Sequence, residues 1–286
     1  MNYVNEDVLR VVYPTREKRS HKGQYGKLLV VAGSEMHTGS PIFSAMAAYR
    51  AGCDLVYLAC PQRPADIAAS FSPNLITLPL VGKKLEKKHV AKILELVETS
   101  RITAMLIGPG LWRDEQTFAA IYELIEKINL PMVIDADAIR AVALNKKIVS
   151  GKKVVFTPHA NEFLALSGKK IGEDLEQRIN VVQQCSKDLQ SVMLLKGNID
   201  VISDGERVAL NKTGSVFMTK GGFGDTLAGI TGAYLSRGVS VFDAACAAAL
   251  VNGKAGELCA EKYGESMLAS DLFDFIPKVI ANHAIE

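Results

Sequence analysis

Thr219-Lys220-Gly221-Gly222-Phe223-Gly224-Asp225-Thr226-Leu227-Ala228-Gly229 sets glycines at 221, 222 and 224 and an acid at 225 against the start of an amphipathic helix. Bare backbone N–H groups can approach an anion there, and the helix N-terminus adds its partial positive charge. That combination favours a phosphate. Asp225 suits an N-cap or first-turn position that steadies the helix. It also suits a base that takes the proton of a hydroxyl as that oxygen attacks phosphorus, while the amides absorb the accumulating charge. Both roles can hold at once.

Outward from this run, short apolar β-rich stretches alternate with stretches of helical period. Strands are expected at 27–32, 55–59, 75–78, 104–107, 132–134, 154–157 and 192–195, with helices at 41–51, 89–99, 115–128 and 175–189. The spacing suits right-handed βαβ units and a mostly parallel sheet flanked by helices. At 199–203 and 207–210 two runs flank Asp204-Gly205, a hairpin signal that adds an antiparallel edge. Helices at 225–236 and 241–261 follow, the second so rich in alanine that it should pack closely against neighbours. No linker or repeat interrupts the chain, so residues 1–286 are expected to form one α/β domain.

In an open parallel sheet ligands bind at the carboxyl ends of the strands. The least ordinary residues fall at those ends: Gly33 through Pro41 after the first strand, Gly108-Pro109-Gly110 after the fourth and Asp135-Ala136-Asp137 after the fifth. Thr157-Pro158-His159-Ala160-Asn161-Glu162 follows the sixth and Lys196-Gly197-Asn198 the seventh. Together they describe a polar, glycine-lined crevice. Neither G-x-x-x-x-G-K-[ST] nor a G-x-G-x-x-G after the first strand is present, which disfavours P-loop NTPases and dinucleotide-binding oxidoreductases. No Cys/His cluster suggests a catalytic zinc.

Bulk properties narrow the setting. The 286 residues carry 33 basic and 31 acidic side chains, a formal net charge of +2. The densest basic stretch, 83–88, is short and lacks aromatics, so nucleic acid is not an expected partner. No apolar run reaches the ~18 residues of a membrane span. Five cysteines without C-x-x-C spacing read as buried, reduced thiols, and no leader-like segment opens the chain. A cytoplasmic protein is expected. His21 and Lys22 sit beside glycines just before the first strand and are candidates to meet an anionic ligand; a loop without a ligand is the other reading.

The glycine run ending in Asp225 resembles the anion hole and base of the ribokinase-like superfamily, which implies a three-layer fold. The further motifs narrow the likeness: His21-Lys22-Gly23-Gln24-Tyr25-Gly26 with Val31-Ala32-Gly33-Ser34, Ile107-Gly108-Pro109-Gly110-Leu111, Ile134-Asp135-Ala136-Asp137-Ala138, Thr157-Pro158-His159 with Glu162, and Leu195-Lys196-Gly197. In this order they resemble the NAD(P)H-hydrate dehydratase family from about residue 5 to about residue 280. Hydroxyethylthiazole kinases share the last motif, so a small-molecule kinase that leaves its phosphate on the product is the rival.

The resemblance implies that the hydroxyl of hydrated NADH or NADPH is phosphorylated by ADP or ATP with Mg²⁺, and that phosphate is then eliminated to regenerate the reduced cofactor. It implies Asp225 as base, Gly222, Phe223 and Gly224 as anion-hole amides, and Lys196, Gly197, Asn198, Ile199, Asp200 and Gly224 on the nucleotide. Ser40, Gly110, His159 and Asp225 would line the hydrate site, and Asp135 and Asp137 would order Mg²⁺-bound water. Turn formation and helix capping are the competing roles for these two acids. A homo-oligomer, up to a tetramer, and cooperation with a separate hydrate epimerase are further expectations. The absence of a fused epimerase region tilts the phosphate source to ADP. Three positions depart from the family pattern: Ser40 where Ala is frequent, Ala160-Asn161 where Pro-Gly is frequent, and Lys220 where a small or uncharged residue is usual.

Overall fold

The computed structural model describes residues 2–281. Nine strands form a single sheet in the order β3-β2-β1-β4-β5-β6-β7-β8-β9. They are β1 (Lys27–Val31), β2 (Leu55–Pro61), β3 (Ile76–Leu80), β4 (Ala104–Ile107), β5 (Met132–Ile134), β6 (Val154–Phe156), β7 (Val192–Leu195), β8 (Asp200–Ser203) and β9 (Val208–Asn211). The first seven are parallel. β8 and β9 turn back antiparallel, as the Asp204-Gly205 pair foretold. Strand order reverses at β1, whose neighbours are β2 and β4. The resulting split between β1 and β4 is where open α/β sheets leave room for a ligand.

The helices are α1 (Asp7–Val12), α2 (Ser40–Arg50), α3 (Gln62–Phe71), α4 (Val90–Ser100), α5 (Glu115–Lys127), α6 (Ala136–Leu144), α7 (Ala160–Ser167), α8 (Leu175–Leu189), α9 (Phe223–Ser236), α10 (Val241–Tyr263) and α11 (Leu272–Ala281). Because successive strand side chains point to opposite faces, Leu28 and Val30 join a core with α2, α9, α10 and α11. Leu29 and Val31 join the opposite core with α4 through α8. Three layers result.

Five helices were not anticipated: α1, α3, α6, α7 and α11. All five are ten residues long or shorter, and two of them, α6 and α7, start inside the strand-end motifs. Asp135 and His159 sit at the N-caps of α6 and α7, so the loop signals there were helix starts. The alanines of α10 at 244, 245, 247, 248 and 249 are all buried within the chain. No described helix is long and apolar enough to cross a membrane.

One crossing positions the site. α2 and α9 touch so closely that a Cβ at Gly229 would stand 2.1 Å from the Ser44 carbonyl oxygen. Only glycine permits that approach, and an added methyl forced into such a contact costs about 1–3 kcal/mol. The crossing sets the start of α2 beside the start of α9.

Candidate active site

Gly222 is the N-cap of α9, with φ of 102°. A side chain there would be strained in φ and would meet Ala269 at 2.7 Å. The first amides of the helix, at Phe223, Gly224 and Asp225, have no carbonyl one turn behind them, so this turn presents a row of donors. It is braced from below. The Thr226 hydroxyl lies 2.8 Å from both the Phe223 carbonyl and Asn252 Oδ1, its one proton serving the two acceptors and tying α9 to α10. Lys220 is exposed, and its ammonium donates to the Met267 carbonyl at 3.0 Å and to that of Glu265.

Asp225 lies in the first turn of α9 and is half-buried. Burial, reinforced by the negative charge of Asp135, raises its pKa to about 7, although a hydrogen bond with Ser40 and the charge of Lys196 oppose the rise. A base poised near neutrality is efficient in both halves of a proton transfer. Ser40 is the first residue of α2, and a Cβ at Gly110 would lie 3.1 Å from its hydroxyl oxygen and 2.6 Å from His37 Cβ. Ser40, Gly110 and Asp225 therefore line one cleft, at the split between β1 and β4.

Across from it, three acids surround one lysine. Lys196 Nζ lies 3.4 Å from Asp135 Oδ1, which also accepts the Thr157 hydroxyl at 2.7 Å. Burial alone would lower the lysine's pKa, but Asp135, with Glu162 and Asp225, raises it overall. The ammonium stays charged beside the amide row, since a Cβ at Gly224 would stand only 3.2 Å from Nζ. His159 is more committed than a substrate ligand need be. Its Nδ1 accepts the N–H groups of Asn161 at 3.1 Å and Glu162 at 3.4 Å, capping α7, and Nε2 lies 3.3 Å from Glu162 Oε1. Its side chain nevertheless remains 49% exposed.

On the far side of Gly224 opens a cavity of about 600 Å³. Lys196, Gly197, Asn198, Asp200 and Gly224 line it, as do Thr213, Ser215, Met218, Leu227, Asn252 and Gly253. Of the expected nucleotide residues Ile199 does not line it; its carbonyl accepts Arg178 at 2.8 Å. Asn198 and Asp200 are partly occupied in holding the loop: Arg178 donates to Asn198 Oδ1 at 3.0 Å, and Asp200 accepts the Gly197 N–H at 3.0 Å and the Asn211 amide at 2.9 Å. Thr213, Ser215, Met218, Leu227, Asn252 and Gly253 were not anticipated. A polar Asn252 inside an alanine-rich helix was the one sequence signal for them.

Asp137 is drawn away from the cleft's centre. Arg113 Nε donates to its Oδ1 at 2.6 Å and the Trp112 N–H to its Oδ2 at 3.2 Å. It stabilises the loop after β4, each of its oxygens accepting one hydrogen bond. Asp135 fits a Mg²⁺ water better, because Thr157 and Lys196 both use Oδ1. Among the described residues no cluster of three His, Cys, Asp or Glu side chains could cage a metal directly. That suits Mg²⁺, which keeps its waters and leans on phosphates plus one or two carboxylates.

His21 and Lys22 are at the wrong end. They precede β1 and share a pocket with Arg16, Tyr25 and Asp54, at the amino ends of β1 and β2. A parallel strand of five residues spans roughly 16 Å, and the site is at its carboxyl end. They cannot meet a phosphate bound beside Gly224 of the same chain.

Residues 28–278 match the family model described as NAD(P)H-hydrate dehydratase. A bifunctional NAD(P)H-hydrate repair enzyme of Pyrobaculum aerophilum is 43% identical over 274 residues, covering 95% of this chain and 54% of its own. The chain thus spans about half the length of that relative, as it does of two further bifunctional relatives. An ADP-dependent (S)-NAD(P)H-hydrate dehydratase of Cenarchaeum symbiosum is 39% identical, with 97% of this chain and 96% of that protein aligned. Among solved structures, the ADP/ATP-dependent NAD(P)H-hydrate dehydratase of Bacillus subtilis, co-crystallised with ATP/Mg²⁺, superposes with a TM-score of 0.84 at 26% identity, over 98% of both chains.

Proposed function

Because this chain belongs to the NAD(P)H-hydrate dehydratase family, we propose that it dehydrates the S form of hydrated NADH or NADPH at the expense of ADP or ATP. The observation that carries the reading is the position of Asp225, which stands where the Ser40–Gly110 cleft meets the cavity beyond Gly224. A hydroxyl bound in the cleft and a terminal phosphate arriving through the cavity converge on one carboxylate and one row of amides.

In this mechanism Asp225 takes the hydroxyl proton as the oxygen bonds to phosphorus. AMP or ADP departs with the bridging oxygen. The Phe223 and Gly224 amides, freed by the left-handed turn at Gly222, receive charge on the transferring group, with Lys196 supplying a fixed cation beside them. The ring carbon–oxygen bond then breaks, inorganic phosphate leaves, and the neighbouring ring carbon loses a proton, restoring the dihydronicotinamide. The phosphate is a better leaving group than hydroxide. Mg²⁺ on the nucleotide phosphates would neutralise charge there, with Asp135 behind its waters.

Ser40 holds Asp225 and, with Gly110, shapes the hydrate side. His159 caps α7 and offers its exposed edge to the substrate. Asn198 and Asp200 position the nucleotide loop while Gly197 meets the nucleotide. A separate epimerase supplying the S form belongs to the same reading, as does a cytoplasmic setting, which the five buried free thiols suit.

The test mixes purified protein with hydrated NADH or NADPH, Mg²⁺ and either nucleotide, and follows regenerated reduced-nicotinamide absorbance alongside inorganic phosphate. Equal release of both is expected. A product that keeps its phosphate would move the chain to the kinase reading, and no turnover with either nucleotide would refute both.

A further inference from the structure

Four described non-glycine residues have positive φ: Arg101, Trp112, Ala136 and Gln190. Arg101 and Gln190 follow the last turns of α4 and α8, where a left-handed residue is ordinary. Ala136 instead opens α6, and Trp112 sits in the loop after β4, both at strand ends that border the cleft. Trp112, at φ 104°, lies outside even the left-handed helical region, and a bulky residue there is a genuine outlier. It is also the chain's single tryptophan, 38% exposed. The strain is held by named bonds, since Asp137 takes the Trp112 N–H and the neighbouring Arg113 side chain. Backbone strain kept in place this way collects at functional sites.

The ring's neighbours show where it stands. Its centroid is 6.4 Å from that of His37, edge to face. His37 Cβ in turn abuts the Gly110 position beside Ser40, and the His37 ring is bonded to Ser34 at 3.0 Å. A half-exposed indole thus flanks the cleft on the side away from the nucleotide cavity, which Trp112 does not line. Among the described residues it belongs to neither core cluster.

We propose that Trp112, steadied by His37 and by the Asp137 bond to its backbone, is a substrate-contacting residue whose indole packs against the nicotinamide-ribose half of the dinucleotide. The proposal rests on the dehydratase reading for its substrate. The flat indole face suits a heterocycle with its sugar, and contacts between aromatic rings add to simple burial. Strain at φ 104° is tolerated because it aims the ring.

Three variants test it: Trp112→Phe, Trp112→Ala and Trp112→Gly. With glycine the backbone conformation costs nothing, so that variant should melt no lower than the parent. Its KM for the hydrate should nonetheless rise by about tenfold at little change in kcat or in ADP affinity. Phenylalanine should recover most of the KM. A purely structural tryptophan would give the reverse, a lowered melting temperature with an unchanged KM, and that result overturns the proposal.

Fluorescence of the single tryptophan gives a reading that needs no turnover. Oxidised nicotinamide mononucleotide carries a cationic ring that interacts with an indole face, and it does not absorb where indole emits. It should quench Trp112 by contact, whereas ADP should not. Quenching without any hydrate turnover would sink the dehydratase reading but keep a nicotinamide site at Trp112. Turnover with no quenching by the mononucleotide, or equal quenching by ADP, would sink the assignment of Trp112 and leave the dehydratase reading intact.

Discussion

The two ends of the parallel strands carry similar residues and use them differently. At the amino end, Asp54 accepts the N–H groups of Gly23 at 3.0 Å and Tyr25 at 2.9 Å and pairs with Arg16 at 3.5 Å. Arg16 and Arg237 both donate to the Gly52 carbonyl and both lie over the Tyr25 ring. Arg16 is held there by Asp54, and Arg237 by the Val12 and Gly52 carbonyls. At the carboxyl end, Asp135, Glu162 and Asp225 share Lys196, and the amides opening α9 lack carbonyl partners. Glycine and charge are therefore not the mark of a site. Incomplete neutralisation in a half-buried cleft is.

Breaking the unneutralised end should have the largest effect. Asp225→Asn keeps the shape and removes the base, so kcat should fall by about 10²–10⁴ with ADP affinity nearly intact. The stability effect has the opposite sign. A carboxyl with a pKa of about 7 in the folded state, against about 3.9 unfolded, favours folding below the lower value. It loses that contribution as pH rises through the higher one. Asn removes the cost, so the variant should be more stable by about 1 kcal/mol above pH 7, a gain that disappears near pH 4. Thermal melts across that range check the sign, and an unaltered kcat would take Asp225 out of the base role.

Lys196 sharpens the same contrast, because its charge is one of the forces opposing the rise at Asp225. In the parent, kcat/KM should climb as pH rises through about 7, as the carboxyl ionises. Lys196→Met should displace that climb to higher pH and lower its plateau by about 10², since a cation aimed at the transferring phosphate is lost too. A profile that keeps its midpoint would separate the two residues electrostatically.

How far the site was legible follows from the same difference. The sheet could be read because parallel strands buried on both faces become continuous apolar runs such as Leu28 to Val31, and the hairpin because Asp204-Gly205 names its turn. The glycine run at 221–224 disclosed an anion site because bare amides need glycine locally. What stayed hidden was non-local. That Thr226 would be tied to Asn252, or Trp112 held by Asp137, depends on helices crossing and loops meeting far apart in sequence. His21 and Lys22 misled because basic residues beside glycine look alike at either end of a strand, and only the chain direction through β1 separates them. Asp137 shows the same limit: an acid after a strand suits a metal water and a backbone bond equally in sequence, and its bonds to Arg113 and the Trp112 N–H are non-local.

At the satisfied end, perturbation should cost stability and spare catalysis. Asp54→Ala leaves the Gly23 and Tyr25 amides without their acceptor and Arg16 without its ion pair. A loss of about 1–3 kcal/mol is expected, read as a lower melting temperature at unchanged kcat. A large fall in kcat at a temperature where the variant remains folded would mean that the two ends communicate.

The smallest effect should come from the residues that looked most like phosphate ligands. The side chains of His21 and Lys22 are exposed, and the His21 ring has only a long contact of 3.5 Å with the Lys22 carbonyl. Replacing both with alanine removes about two exposed groups, and surface changes of this kind usually stay within ±0.5 kcal/mol. KM for the hydrate should then remain within about twofold at any salt concentration, because a pair roughly 16 Å away along the strand is beyond the Debye screening length of about 8 Å at physiological ionic strength. A rise in KM that disappears at high salt would instead show these charges acting on the substrate. Since the same chain keeps them at the opposite end of β1, the substrate in question would have to be bound to another copy of the protein.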